Sequence, residues 1–520
     1  MSERAAGRPR LCFTMSFDRD YAVGARGAIR SIRRLYGPKE AAIVAFAHEY
    51  LRDLVDFCRV HHVELRYSHQ IAAWALPLIY RHDEYRNNTT HYFHPECVPP
   101  PDMPCYEERS PTGFDHIRHL HPLDVKAYST GYCLNVARYE WVVHIDADAF
   151  LLWRIDDLLG QMPADAVLGF DDGVDALKHL ERLYGVAKPP DFDERRYALN
   201  AGVVFYRNGE GVRRLMLDFM HYIESPTHYA YSGYFADQGI LRALVAKHHL
   251  LGRIHYELHD AVSWNPTRER ADDLDFVPAT GEWINRTNGK RQYVWHGAGQ
   301  TKTWTGLHHS DSVNRAWRFV GGELVAPTWR DVRGSLTPEN CEAMCELIRQ
   351  HAGTRDRLDI LELGTQYGRT AIAMCALLGQ HDVEVRVDTC DTFAPSADFP
   401  HNHASPADVQ RNVEKLGLTA QIRSHHVSSS ENLMKRFAGR SFDVVFVDAC
   451  HEFRQVVADC VVARSLVRPG GLIVGDDWHL EDVRDGCRAV FGASEPRALG
   501  QNMWYRQGDA GERAGLADDP

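Results

Sequence analysis

The run Trp141-Val-Val-His-Ile-Asp-Ala-Asp-Ala-Phe150 constrains the N-terminal part of the chain more than any other stretch. An aromatic and apolar segment that reads as a buried strand ends in two carboxylates one residue apart, and a further apolar segment follows. Residues two apart on a strand share a face, so Asp146 and Asp148 can converge at the strand's end. Hard oxygen ligands placed there suit Mg²⁺ or Mn²⁺, and such a cation can hold a diphosphate. An isolated Asp-x-Asp is more often a solvated turn, so the meaning of this one depends on the rest of the chain.

With 520 residues the chain is long enough for two or three domains, each with a core of its own. A formal net charge of -12 argues against broad affinity for nucleic acid or anionic membrane, though local basic pockets for phosphates stay open. No apolar leader follows Met1 and no apolar run reaches spanning length, so the expectation is a cytoplasmic protein without a membrane span. The 12 cysteines form no Cys-x-x-Cys pair, and reduced thiols packed as small hydrophobes are expected. A homo-oligomer remains open.

In chain order, 11–15 reads as a strand, 16–21 as a polar loop, 22–36 as a helix and 42–46 as a second strand. This is the start of an α/β nucleotide-binding unit with its loop where ligands bind. From 81 to 123 periodicity gives way to His, Pro, Tyr and Asn, which reads as an insertion or lid over an acceptor site. His116, His119 and His121 lie in it, but their spacing fits no strong zinc pattern. A helix carrying Lys126 then runs from about 123 to 137. Residues 198–205 read as a short strand with Asn200 at its entrance and Gly202 permitting close backbone approach. Asp237 and Gln238 open a helix, and 293–304 is a strand ending in His296 before a glycine-containing loop with Lys302.

Asp20-Tyr21 with Gly24, Ala25 and Ser31, then Asp146-x-Asp148, Asn200-Ala-Gly202, Asp237-Gln238, and finally His296, Gly299, Lys302 and Trp304 occur in this order. The set resembles the glycogenin-like family-eight glycosyltransferases over about residues 10–310. The last group keeps that family's His-x-x-Gly-x-x-Lys-x-Trp spacing, with Thr303 where proline is usual. The resemblance implies a GT-A fold and a nucleotide-sugar donor. It implies Mn²⁺ or Mg²⁺ held by Asp146, Asp148 and His296, and transfer with retention of configuration. Lys302 would neutralise the departing diphosphate, and Asp20, Tyr21, Lys126 and Gly299 would lie along the donor. Asn200, Asp237 and Gln238 would bind sugar hydroxyls. The 81–123 segment departs from the family pattern and leaves the acceptor open.

A second domain is expected after a boundary near 320, with 321–334 as linker, 335–507 as the domain and 508–520 as a flexible tail. Thr337-Pro338 caps and opens a helix. Glu362-x-Gly364-x-x-x-Gly368 follows a strand and precedes a helix, without the full Gly-x-Gly-x-x-Gly fingerprint of a dinucleotide site. Another strand ends at Asp391, a third at Asp448 and His451, and Pro469-Gly-Gly471 reads as a turn before a strand ending in Asp476-Asp477. These blocks resemble class I S-adenosylmethionine-dependent methyltransferases, which implies a glycine turn at the cofactor and Asp391 on its ribose. Asp448-x-x-His451 and Asp476-Asp477 resemble the metal-dependent sugar O-methyltransferases within that class. That resemblance implies Mg²⁺ on Asp448, Asp476 and Asp477, with His451 or His479 as proton acceptor. A polar strand end and a helix cap are the plainer reading of those acids and that histidine.

The expected fold class is α/β throughout: a GT-A nucleotide-sugar-binding Rossmann-like domain over 1–320, then a class I methyltransferase Rossmann-like domain. The expected function is bifunctional, with hexose transfer from a nucleotide-sugar, a UDP-sugar first, to a glycan or small-molecule acceptor, and methylation of a hydroxyl. The alternative is a methyltransferase whose first domain binds a sugar or nucleotide sugar without turning it over.

Overall fold

A computed structural model describes residues 9–71, 74–75, 125–170, 185–223, 236–259, 274–278, 280, 282–286, 289–296, 302–307, 311–394, 404–427, 430–492, 496–500 and 502–508. The 81–123 segment with its histidines, Gly299 and the tail from 509 lie outside the described residues. The chain divides into two compact units, one of 1–304 and 310–324, the other of 305–309 and 325–520.

In the first unit, β1 (Leu11–Phe17), β2 (Ala41–Ala47), β3 (Glu64–Tyr67) and β4 (Trp141–Ile145) pair in parallel. β5 (Ala149–Leu151) leaves that sheet, while β6 (Ala166–Phe170), β7 (Val203–Arg207) and β8 (His255–His259) complete it. The order is β3-β2-β1-β4-β7-β6-β8, with β7 antiparallel to both its neighbours. The strands are near-continuous apolar runs because both faces are covered. β1 sends Phe13 and Met15 into one core and Cys12 into the other; β4 likewise splits Val143 and Ile145 from Val142.

β9 (Leu274–Val277) and β10 (Glu282–Asn285) form a hairpin, and β11 (Val294–His296) pairs antiparallel with β5. A third core of Trp283, Trp295, Trp304 and Trp317 lies with these short pieces. The strand expected over 198–205 starts only at Val203. Asn200 Oδ1 accepts from the Gly202 N–H at 2.8 Å, so the side chain closes a turn where a ladder was expected.

In the second unit, β12 (Arg357–Leu363), β13 (Glu384–Asp391), β14 (Ile422–His426), β15 (Phe442–Val447) and β16 (Val467–Gly475) are parallel. β17 (Arg497–Leu499) and β18 (Met503–Gln507) close the edge, giving β14-β13-β12-β15-β16-β18-β17 with β18 antiparallel to β16. The Pro469-Gly-Gly471 segment is not a separate turn. It lies inside β16, where the register against β15 shifts between Phe442 and Val444 and Gly470 takes φ +70°.

Helix Pro338–Ala352 starts as its cap dictates, with Thr337 Oγ1 accepting from the Asn340 N–H at 3.2 Å and proline in the first turn. In both sheets the chain reverses its winding direction beside the first strand, between β1 and β4 and between β12 and β15. Ligands of open α/β sheets bind outside the carboxyl ends of such strand pairs. Asp18 to Tyr21 and Asp146 to Asp148 follow one pair, Gly364 and Asp448 the other. Among the described residues no helix is long and apolar enough to cross a membrane.

Candidate active sites

β4 runs out at Ile145, and the turn that follows carries Asp146 and Asp148. The third member arrives from far along the chain: β11 pairs with β5 so that His296 sits opposite Ala149, the neighbour of Asp148. One ligand atom from each of Asp146, Asp148 and His296 lies within 4.8 Å of the others. His296 Nε2 is 3.6 Å from Asp146 Oδ2 and 3.4 Å from Asp148 Oδ1. A Cβ on Gly202 would overlap the His296 ring and stand 2.7 Å from Asp146 Oδ2, so only glycine leaves this space open. Two carboxylates and an imidazole are a donor set that suits Mn²⁺ or Mg²⁺.

Behind the acids lies a buried ion-pair network. Lys126 is 6% exposed, and its Nζ lies 3.1 Å from Asp146 Oδ1, 3.2 Å from Asp146 Oδ2 and 3.0 Å from Asp237 Oδ2. Burial alone would lower this ammonium, but Asp146 and Asp237 overcome it and hold Lys126 raised. Burial likewise disfavours the Asp146 anion, yet Lys126 first and then His144 and His296 hold it well below the usual carboxylate range. His296 is pushed up to about 9: burial opposes its charge, and Asp148 and Asp146 outweigh burial. A cation entering between these acids would displace that proton.

The other expected donor-site residues fall around this centre in differing ways. Asp237 is buried on Lys126, and Gln238 Oε1 accepts from the Ala201 N–H at 2.9 Å. Asn200 and Gln238 therefore both fix the turn that holds Gly202. Asp20 is exposed in the loop after β1. The Tyr21 ring stands edge-on to Trp304 at 5.6 Å, with Lys302 Nζ 5.4 Å from its centroid. Burial, with Asp148 next, raises the Tyr21 hydroxyl and keeps it protonated. His144 was not singled out in the sequence. It is 1% exposed with Nε2 2.9 Å from Asp146 Oδ1, and burial lowers it, keeping the imidazole neutral.

In the second unit a cavity of about 400 Å³ opens at the carboxyl ends of β12, β13 and β15, within the usual size of a small-molecule site. Gly364, Asp391, Asp448, Asp476 and Asp477 line it. Gly364 has φ +97°, and a Cβ there would strike the Asp448 carbonyl; Gly368 has φ +84° at the start of helix Arg369–Gly379. Asp391 Oδ2 accepts from the Thr365 and Gln366 N–H groups at 2.9 and 2.8 Å, and Oδ1 from Phe393 N–H at 2.7 Å. The acid expected on a ribose thus braces the glycine turn. Arg369 donates to the carbonyls of Val332, Gly334 and Leu336, tying that segment to the cavity wall.

Ligand atoms of Asp448, His451 and Asp477 lie within 4.8 Å of one another, so among the described residues the trio includes His451 where Asp476 was expected. His451 Nε2 is 2.7 Å from Asp477 Oδ2, and the half-exposed His479 only approaches Asp477 at 4.0 Å. Asp476 is raised to about 7 by burial and by Asp477, and its Oδ1 is buried without a hydrogen bond. Asp448 is raised well above its ordinary value by burial, then by Asp476 and Asp477. Crowded carboxylates held this way are a donor set for a divalent cation.

Residues 361–478 match the family model described as a methyltransferase domain. Against the curated proteins the chain has no significant match. Among solved structures it is similar to the WbbM bifunctional glycosyltransferase, at 16% identity over 61% of this chain and 50% of that one, TM-score 0.38. It is similar to the galactosyltransferase LgtC in complex with donor and acceptor sugar analogues, at 15% identity over 61% of this chain and 98% of that one, TM-score 0.36. A third is the O-methyltransferase NovP, at 21% identity over 32% of this chain and 80% of that one, TM-score 0.26. The chain thus spans half the length of WbbM. The two sheet orders show a chain that joins two α/β units, and residues 361–478 of the second match the methyltransferase-domain model.

Proposed function

We propose that this chain is a bifunctional enzyme. Its first unit transfers a hexose from a nucleotide-sugar, a UDP-sugar first, with retention of configuration. Its second unit methylates a hydroxyl with S-adenosylmethionine, on the same glycan or glycosylated metabolite. The observation that carries the reading is the convergence of Asp146, Asp148 and His296 beyond β4, with Gly202 leaving the space between them open.

Asp146, Asp148 and His296 would hold Mn²⁺ or Mg²⁺, which when bound neutralises charge on a departing nucleoside diphosphate. Lys302, held beside Tyr21, adds a cation on the same side. Asp237, paired with the Lys126 that also holds Asp146, would accept from a sugar hydroxyl. Gln238 and Asn200 act one step back by fixing the Ala201–Gly202 turn.

In the second unit the glycine turn and Asp391 form the wall for S-adenosylmethionine, which supplies an electrophilic methyl group. Asp448, His451 and Asp477 would hold Mg²⁺. His479, exposed at the edge of that trio, would take the proton of the acceptor's hydroxyl.

A panel of nucleotide sugars incubated with the protein and Mn²⁺ or Mg²⁺, read as nucleoside diphosphate release, tests the first half. Metal-dependent release lost in Asp148→Asn supports transfer or donor turnover. Silence across the panel from protein that still binds S-adenosylmethionine returns the first unit to a binding role.

A further inference from the structure

We infer that His144 is the positioning residue that selects which oxygen of Asp146 faces the cation site. This rests on the reading of Asp146, Asp148 and His296 as that site. His144 and Asp146 are two residues apart and share a face of the chain leaving β4. His144 Nε2 stands 2.9 Å from Asp146 Oδ1, whereas Oδ2 is the oxygen turned to His296 and toward the space that Gly202 leaves open.

The histidine's own orientation is set from the helix Val125–Gly131. Thr130 Oγ1 lies 3.5 Å from His144 Nδ1, and both residues are almost completely buried. A carboxylate only accepts, so Nε2 carries the proton; Nδ1 is then the acceptor for the Thr130 hydroxyl. One turn earlier on the same helix, Lys126 Nζ spans both oxygens of Asp146, 3.1 Å from Oδ1 and 3.2 Å from Oδ2, so the ammonium does not choose between them and the imidazole does. Thr130 and Lys126 are four residues apart and project from one face, so a single buried turn of helix steadies the acid twice, directly and through the imidazole.

The consequence is geometric. With Oδ1 held by the imidazole while Lys126 bridges both oxygens, Asp146 turns Oδ2 to the cation site, which suits a small octahedral cation better than a chelating carboxylate would. Groups that hydrogen-bond to a metal ligand in this way commonly alter affinity by about 10–100-fold when removed.

The test is Mn²⁺ binding to the full chain, followed by the EPR signal of free Mn²⁺, with Asp148→Asn defining the component that belongs to this site. His144→Phe keeps a ring and removes the donor, and is expected to weaken that component about 10–100-fold. His144→Gln places an N–H where Nε2 stood and is expected to recover most of the loss. Thr130→Val, which leaves the imidazole in place, is expected to weaken binding by a smaller factor and serves if His144→Phe fails to fold. Folded His144→Phe with wild-type Mn²⁺ affinity overturns the inference, as does His144→Gln no better than His144→Phe; if His144→Phe is unfolded, wild-type affinity in Thr130→Val does so. Wild-type protein without any component lost in Asp148→Asn overturns the underlying site reading instead.

Discussion

Gly202 is the residue on which the first site depends most sharply, because its missing Cβ is the room that His296 and Asp146 occupy. Gly202→Ala should leave a folded protein whose His296 is displaced, with metal-dependent donor turnover reduced by more than about 100-fold, a larger loss than for a residue one step removed from the metal. A second residue, Glu362, makes a prediction about pH. It is fully buried, Thr389 Oγ1 donates to it, and burial raises it to about 8. Between an ordinary carboxyl value near 4.5 and about 8, the folded protein keeps a proton that the unfolded chain gives up. The contribution of Glu362 to stability is therefore fully present below the lower value and falls as pH rises toward the upper one. Glu362→Gln should raise the melting temperature at pH 8 by a few degrees relative to wild type and change it little at pH 5, by scanning calorimetry.

At the scale of elements, the strand-turn-helix over β12 and helix Arg369–Gly379 is the most demanding piece. Gly364 at φ +97° sits against the Asp448 carbonyl, so Gly364→Ala carries about 1–3 kcal/mol of backbone strain before any clash is counted. Titration calorimetry should find S-adenosylmethionine binding lost or weakened at least tenfold, with donor turnover by the first unit unchanged. Such elements were legible in the sequence because they are local. The helix Pro338–Ala352 begins where Thr337 and Pro338 place it. The failures are local too, but opposite in kind. Asn200 turned an apolar run into a side-chain-closed turn, and Gly470 let a proline-glycine segment be absorbed into β16 as an irregularity. Hydrophobic pattern alone does not distinguish these outcomes.

For the whole molecule, each unit carries its own sheet, its own cores and its own acid cluster. Sugar transfer and methylation should therefore separate genetically. Asp148→Asn is expected to abolish nucleotide-sugar turnover while methylation of an acceptor stays within about twofold, and Asp448→Asn the reverse, because sites without shared partners behave additively. Loss of both activities from either change, in protein with native circular dichroism, would contradict separate sites.

The sequence by itself determined the two α/β units, the apolar strands that end in acids, and the glycine positions, because strand periodicity and turn chemistry are written in neighbouring residues. It held a signal for His144 as well, two residues before Asp146 and on the same face. The tertiary structure decided what no local pattern contains. It brought His296 beside Asp148 through the pairing of β11 with β5, joined Lys126 to Asp237 across more than a hundred residues, and placed His451 within reach of Asp448 and Asp477. Strand pairing and burial fix which distant side chains share a small volume, and those terms exist only once the chain has closed on itself.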